Sequence, residues 1–90
     1  MADLISMKEL QNKEHTIIDV RTDEEVENDP IPSDKLIHME LQTIPARLEE
    51  LPNDKLLAFV CAGNIRIAQA AQYLEGLGYN NVCVLDKFSI

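Results

Sequence analysis

Cys61 closes the apolar run Leu-Leu-Ala-Phe-Val at 56–60, and Arg66 follows it across Ala62, Gly63, Asn64 and Ile65. A cysteine so placed is a candidate nucleophile, because its thiolate is the reactive form. Gly63 and Asn64 are residue types that readily take left-handed or strained dihedrals. A short loop containing them can turn successive N–H groups toward one point and form an anion-binding nest. Helical spacing resumes at Ile65, and the free N–H groups of that helix start add positive potential. Arg66 places a permanent cation in the first turn, where it opposes the helix dipole. A guanidinium kept there is expected to meet an anion or anchor the loop. All these effects favour thiolate over thiol. Cys83 stands inside "VCVL" with no loop or cation beside it, and reads as core packing.

Such a loop works only if other elements hold it. Ser6 with Glu9 three residues later marks a capped short helix over 6–12, with Met7 and Leu10 on one side. "HTIIDV" at 15–20 is β-branched and apolar, hence a strand. Thr22 and Glu25 form a second capping box for a helix over 22–28, and Pro30 and Pro32 then break the chain. A second strand is expected at 35–39. A helix is expected over 43–51, with Ile44, Leu48 and Leu51 on one face and Pro45 in its first turn. Residues 52–54 read as a turn. "KLLAFV" at 55–60 is continuously apolar, like a strand buried on both faces of a parallel sheet. Residues 65–76 carry Ile65, Ala68, Ala71, Gln72 and Leu74 at helical spacing, with Gly76 and Gly78 as a stop. Residues 81–86 supply the last strand. This alternation predicts an α/β fold with a mainly parallel central sheet and helices on both faces. Cys61 then lies at the carboxyl end of a central strand, where such sheets bind ligands.

Ninety residues make one domain, spanning 1–90, with an aliphatic core, since aromatics are 4% of the chain. A net charge of −8 argues against nucleic acid and anionic membranes as partners. The acidic run Asp23 to Asp29 reads as a solvated helix face. No apolar stretch is long enough to span a bilayer, and "MADLISMKEL" lacks the basic region of a secretory signal. Two cysteines without framework spacing fit a cytoplasmic protein with reduced thiols. His15 is expected in a solvated turn, and His38 near the end of the second strand. Neither has a cysteine or carboxylate at ligand spacing along the chain, so no metal site is expected.

The chain resembles the single-domain rhodanese family of sulfurtransferases. "IIDVRTDEEVE" at 17–27 is similar to the family's first strand and helix, with Asp-Val-Arg and a Glu four residues on. "IP" at 31–32 and "CAGNIRIAQAAQYLEGLGYNNVCVL" at 61–85 resemble the next element, the active loop, its helix and the last strand. The resemblance implies a three-layer α/β/α fold and a persulfide carried on Cys61. It implies a sulfane-sulfur donor such as thiosulfate or a persulfide, a thiol or cyanide acceptor, and no cofactor. An acceptor protein is compatible with it, and oligomeric state is left open. The amides of residues 62–66 would cradle the persulfide, and Arg66 matches the arginine closing the loop. Asp19, Arg21 and Glu25 match positions that are mainly structural.

The loop departs from the family at Asn64, where Gly is usual, at Ile65, and at Ile67, where Ser is usual. Pro30 and Ser33 replace the residues flanking Ile-Pro, and the family's closing Gly-Gly and Trp have no counterpart at 87–90. These departures predict weak turnover, and the lack of a second loop cation disfavours a doubly charged donor. They also raise the alternative of a rhodanese-like module that binds or regulates a partner. A cysteine phosphatase needs Arg six positions after the cysteine, where Ile67 stands, and a thioredoxin-like protein needs a nearby resolving cysteine, which residues 62–64 do not supply.

Overall fold

The computed structural model describes residues 3–52, 54–60 and 64–86, with the side chains of residues 3 and 64–66 left aside. Its elements run β1 (Asp3–Ile5), α1 (Met7–Leu10), β2 (His15–Asp19), α2 (Asp23–Asn28), β3 (Leu36–His38), two 3-10 segments (Leu41–Ala46 and Leu48–Glu50), β4 (Leu56–Val60), α3 (Asn64–Gly76) and β5 (Val82–Leu85). The five strands form one sheet in the order β1-β5-β4-β2-β3, and every pair is parallel. The expected α/β class with a parallel central sheet is what the chain adopts.

Each face of the sheet buries its own apolar layer, because successive strand side chains point to opposite sides. Ile18, Val20, Leu57 and Phe59 pack with Ile44 and Leu51 of the 3-10 region and with Ile67, Ala70 and Leu74 of α3. Ile17, Ala58, Val60, Cys83 and Leu85 pack on the other side with Ile5 and Leu10. Cys83 is therefore core, as its context suggests. β4 is central and carries a buried residue at every position after Leu56.

Both expected caps form. Ser6 Oγ accepts from Glu9 N–H at 3.1 Å. Thr22 Oγ1 accepts from Glu25 N–H while Thr22 N–H donates to Glu25 Oε1 at 3.0 Å. These bonds satisfy helix-start N–H groups that have no partner within the helix. At the far end of α3, Tyr79 N–H donates to Leu74 O and Gly78 N–H to Glu75 O, each at 3.0 Å. That pairing is a Schellman cap, which needs a left-handed residue, and Gly78 has φ +96°. Gly78→Ala should lower stability by about 1 kcal/mol. Urea denaturation of the variant checks this, and an unchanged midpoint would mean the cap is dispensable.

Three expectations are corrected, and one strand comes in addition to those expected. Asp3–Ile5 forms a strand, paired among the described residues with β5, although three residues carry no periodic signal. Residues 43–51 are not an α-helix. Pro45 lacks an N–H, and the segment closes on short bonds, from Arg47 N–H to Ile44 O and from Leu51 N–H to Leu48 O, each 3.0 Å. Ile44, Leu48 and Leu51 still face one core. Arg47 pairs with Glu50 at 2.7 Å, and that hydrogen bond holds the Glu50 carboxyl below its ordinary range. The buried face of α3 is Ile67, Ala70, Ala71 and Leu74, whereas Ala68 and Gln72 are exposed. Finally, His15 is the first residue of β2 rather than a solvated turn. It is 3% exposed, opposite Leu56 in the ladder, with Nδ1–H donating to Lys13 O at 2.9 Å.

Candidate functional site

The register of the sheet lines up three strand ends. Asp19, the last residue of β2, sits opposite His38 of β3 on one side and Val60 of β4 on the other. The next residues extend the row: Val20 N–H donates to Val60 O at 3.0 Å, and Met39 N–H to Asp19 O at 2.8 Å. The chain leaves β2 for β3 in one direction and β4 for β5 in the other. The carboxyl ends of β2 and β4 therefore flank a topological switch point, the usual ligand crevice of an open α/β sheet. Cys61 follows Val60 directly, and α3 begins at Asn64. The expected nucleophile Cys61 and loop residues Ala62 and Gly63 lie outside the described residues, as do the side chains of Asn64, Ile65 and Arg66.

Beside that crevice lies a buried ion pair. Asp19 is 0% and Arg21 1% exposed. Arg21 Nε donates to Asp19 Oδ1 at 2.9 Å and Nη2 to Asp19 Oδ2 at 2.8 Å, a two-pronged geometry that suits guanidinium and carboxylate. Arg21 N–H donates to the same carboxylate at 3.1 Å. The hydrogen bond to Asp19 holds the guanidinium above its ordinary pKa against the effect of burial, and the charges of Asp19, Asp29 and Glu25 add to it.

Arg21 also reaches across α2, with Nη2 donating to Asp29 O at 2.8 Å. One buried guanidinium thus ties the end of β2 to the residue that closes α2, whose own six residues include none that is buried. Glu25, matched to a mainly structural position, enters mainly as the capping partner of Thr22 and adds its charge to Arg21 from there.

His38 and Arg47 were not visible in the sequence as part of this region. His38 Nε2 lies 2.7 Å from Arg21 O, and Arg47 Nη1 donates to His38 O at 3.2 Å. The spacing argument against carboxylates near His38 also fails in space. Asp23, at the start of α2, and Glu40, after β3, bring carboxylate oxygens within 4.8 Å of a His38 ring nitrogen and of each other. Only the folded register could reveal this, since these residues come from three separate segments.

The comparisons with known proteins agree with this architecture. The rhodanese-like domain profile matches residues 3–88. A Bacillus subtilis protein named as a sulfurtransferase, YtwF, is 36% identical over 73 residues, covering 81% of this chain and 69% of that protein. The rhodanese-like domain protein of Staphylococcus aureus superposes with a TM-score of 0.74 at 34% identity, over 90% of this chain and 81% of that one. The NAD-dependent persulfide reductase of A. fulgidus gives a TM-score of 0.77 at 33% identity over 94% of this chain, which corresponds to only 15% of the reductase. The chain belongs to the rhodanese-like domain family, and the curated relatives it matches carry sulfurtransferase names.

Proposed function

We propose that this domain moves sulfane sulfur through a persulfide on Cys61. The observation that carries the reading is the His38–Asp19–Val60 row at the switch point, since Cys61 is the next residue along the chain after Val60 and α3 begins three residues later. The Cys61 thiolate attacks the outer sulfur of thiosulfate, or the terminal sulfur of a persulfide. The donor's S–S bond breaks, and sulfite or the donor thiolate leaves with the bonding electron pair. A thiolate or cyanide then attacks the terminal sulfur of the Cys61 persulfide and restores the thiolate. Loop amides and Arg66 stabilise the charge on the bound sulfur. No separate base is needed when the nucleophile is already ionised. Asp19 and Arg21 fix the neighbouring strand end. A cytoplasmic setting suits a cysteine that must stay reduced. The relatives named as sulfurtransferases and the persulfide reductase neighbour support the same chemistry.

Incubation with thiosulfate or a persulfide donor should add one sulfur atom to the intact mass, and later addition of cyanide should remove it. Failure to take up sulfur at any donor concentration would overturn the proposal and leave a module that binds a partner.

A further inference from the structure

We infer that Asp23, His38 and Glu40 form a binding site for a divalent cation of the zinc class, separate from the sulfur-transfer chemistry. The first ground is the hydrogen-bond geometry around the His38 ring. Its Nε2 lies 2.7 Å from the Arg21 carbonyl oxygen, which can only accept, so Nε2 carries the proton. In the neutral ring, Nδ1 is then a bare lone pair, and it faces Asp23 Oδ1 at 3.4 Å. Two acceptors this close are joined by a proton or by a metal cation between them.

The second ground is charge and spacing. Glu40 takes a hydrogen bond from Gln42 Nε2 at 2.8 Å, but that donor is neutral. A dication takes up both carboxylate charges and the imidazole lone pair together. Donor atoms on a four-coordinate zinc ion, with bonds of about 2.0–2.2 Å, stand about 3.3–3.6 Å apart. The Asp23–His38 separation already matches, and all three donors lie within 4.8 Å of one another. The third ground is the support behind the ligand. Metal-bound histidines characteristically donate their other ring N–H to a carbonyl or carboxylate, which fixes the ring, and the Arg21 carbonyl does so here. A mixed nitrogen and carboxylate set suits zinc or cobalt better than magnesium or calcium. Three protein donors leave at least one position for water or an anionic ligand. The ion would join the start of α2 to the end of the edge strand β3.

The test is titration of the full chain carrying Cys61→Ser, which removes a competing thiolate, with Zn²⁺ followed by calorimetry and with nitrogen NMR of the imidazoles. Expected are one saturable equivalent and a shift of the His38 Nδ1 resonance. Asp23→Asn and His38→Gln should each weaken binding about tenfold or more, and Glu24→Gln, one residue along the same helix, should not. Asp23 is 86% exposed, so its variant keeps the fold even where a change at His38 disturbs it. No saturable uptake, or uptake equally sensitive to Glu24→Gln, would overturn the site. So would a His38 Nδ1 that carries a proton with Zn²⁺ present. Because Cys61 is absent from this experiment, its failure leaves the sulfur-transfer reading untouched.

Discussion

Asp19→Ala should destabilise the domain by about 3–5 kcal/mol, the range for removing one partner of a buried ion pair. The reason is what the substitution leaves behind. Arg21 is 1% exposed and keeps its charge at every accessible pH, so it cannot escape by losing a proton. Without Asp19, the Nε–H and one Nη2–H lose their acceptors, and the Asp29 carboxylate at 3.8 Å is too exposed to compensate. The loss is a large share of the stability of a domain this size, which is about 5–13 kcal/mol. Asp19→Asn retains one acceptor oxygen and should cost less. Replacing both partners with apolar residues should recover part of the loss, short of full recovery because Asp29 O would lose its donor. Urea denaturation of the three variants checks the order, and a loss below about 1 kcal/mol for Asp19→Ala would show that water reaches the guanidinium.

The second large effect is on activity. Cys61→Ser should abolish sulfur uptake and lower transfer by at least about 10³-fold, because a hydroxyl neither ionises near neutral pH nor forms a stable bond to sulfane sulfur. Cys83→Ala should leave uptake intact. Cys83 is buried in β5 against Ala58, Val60 and Leu85, so its replacement by a smaller side chain is a packing change, felt as modest destabilisation. Intact mass after donor treatment separates the two cysteines in one experiment. Sulfur that remains on the Cys61→Ser chain would move the nucleophile elsewhere.

Local chemistry made much of this fold legible. Thr22 with Glu25, Ser6 with Glu9 and the apolar run at 56–60 each announce their structure within a few residues, and each forms as expected. What escaped depends on distant partners. β1 is a strand because β5 accepts it, and His15 is buried because Leu56 lies opposite. The buried face of α3 follows the sheet beneath it, which selects Ile67 and Ala70 over Ala68 and Gln72. The departure of Ile67 from the family loop has a packing counterpart, since this side chain is 7% exposed and belongs to the core. His38 belongs to the site region through register, which spacing along the chain does not encode.

The sheet order also sets a timetable for folding on the ribosome. β1 is synthesised before β2–β5, yet its one sheet neighbour among the described residues is β5, which begins roughly 80 residues later. At about 5–20 residues per second, the first strand waits on the order of 4–16 s for a partner. During that wait β2, β3 and β4 can pair among themselves, because they are contiguous in the sheet, while the opening segment stays unpaired and open to chaperones or proteases. β5 therefore completes this sheet twice over, by covering β4 and by giving β1 its place.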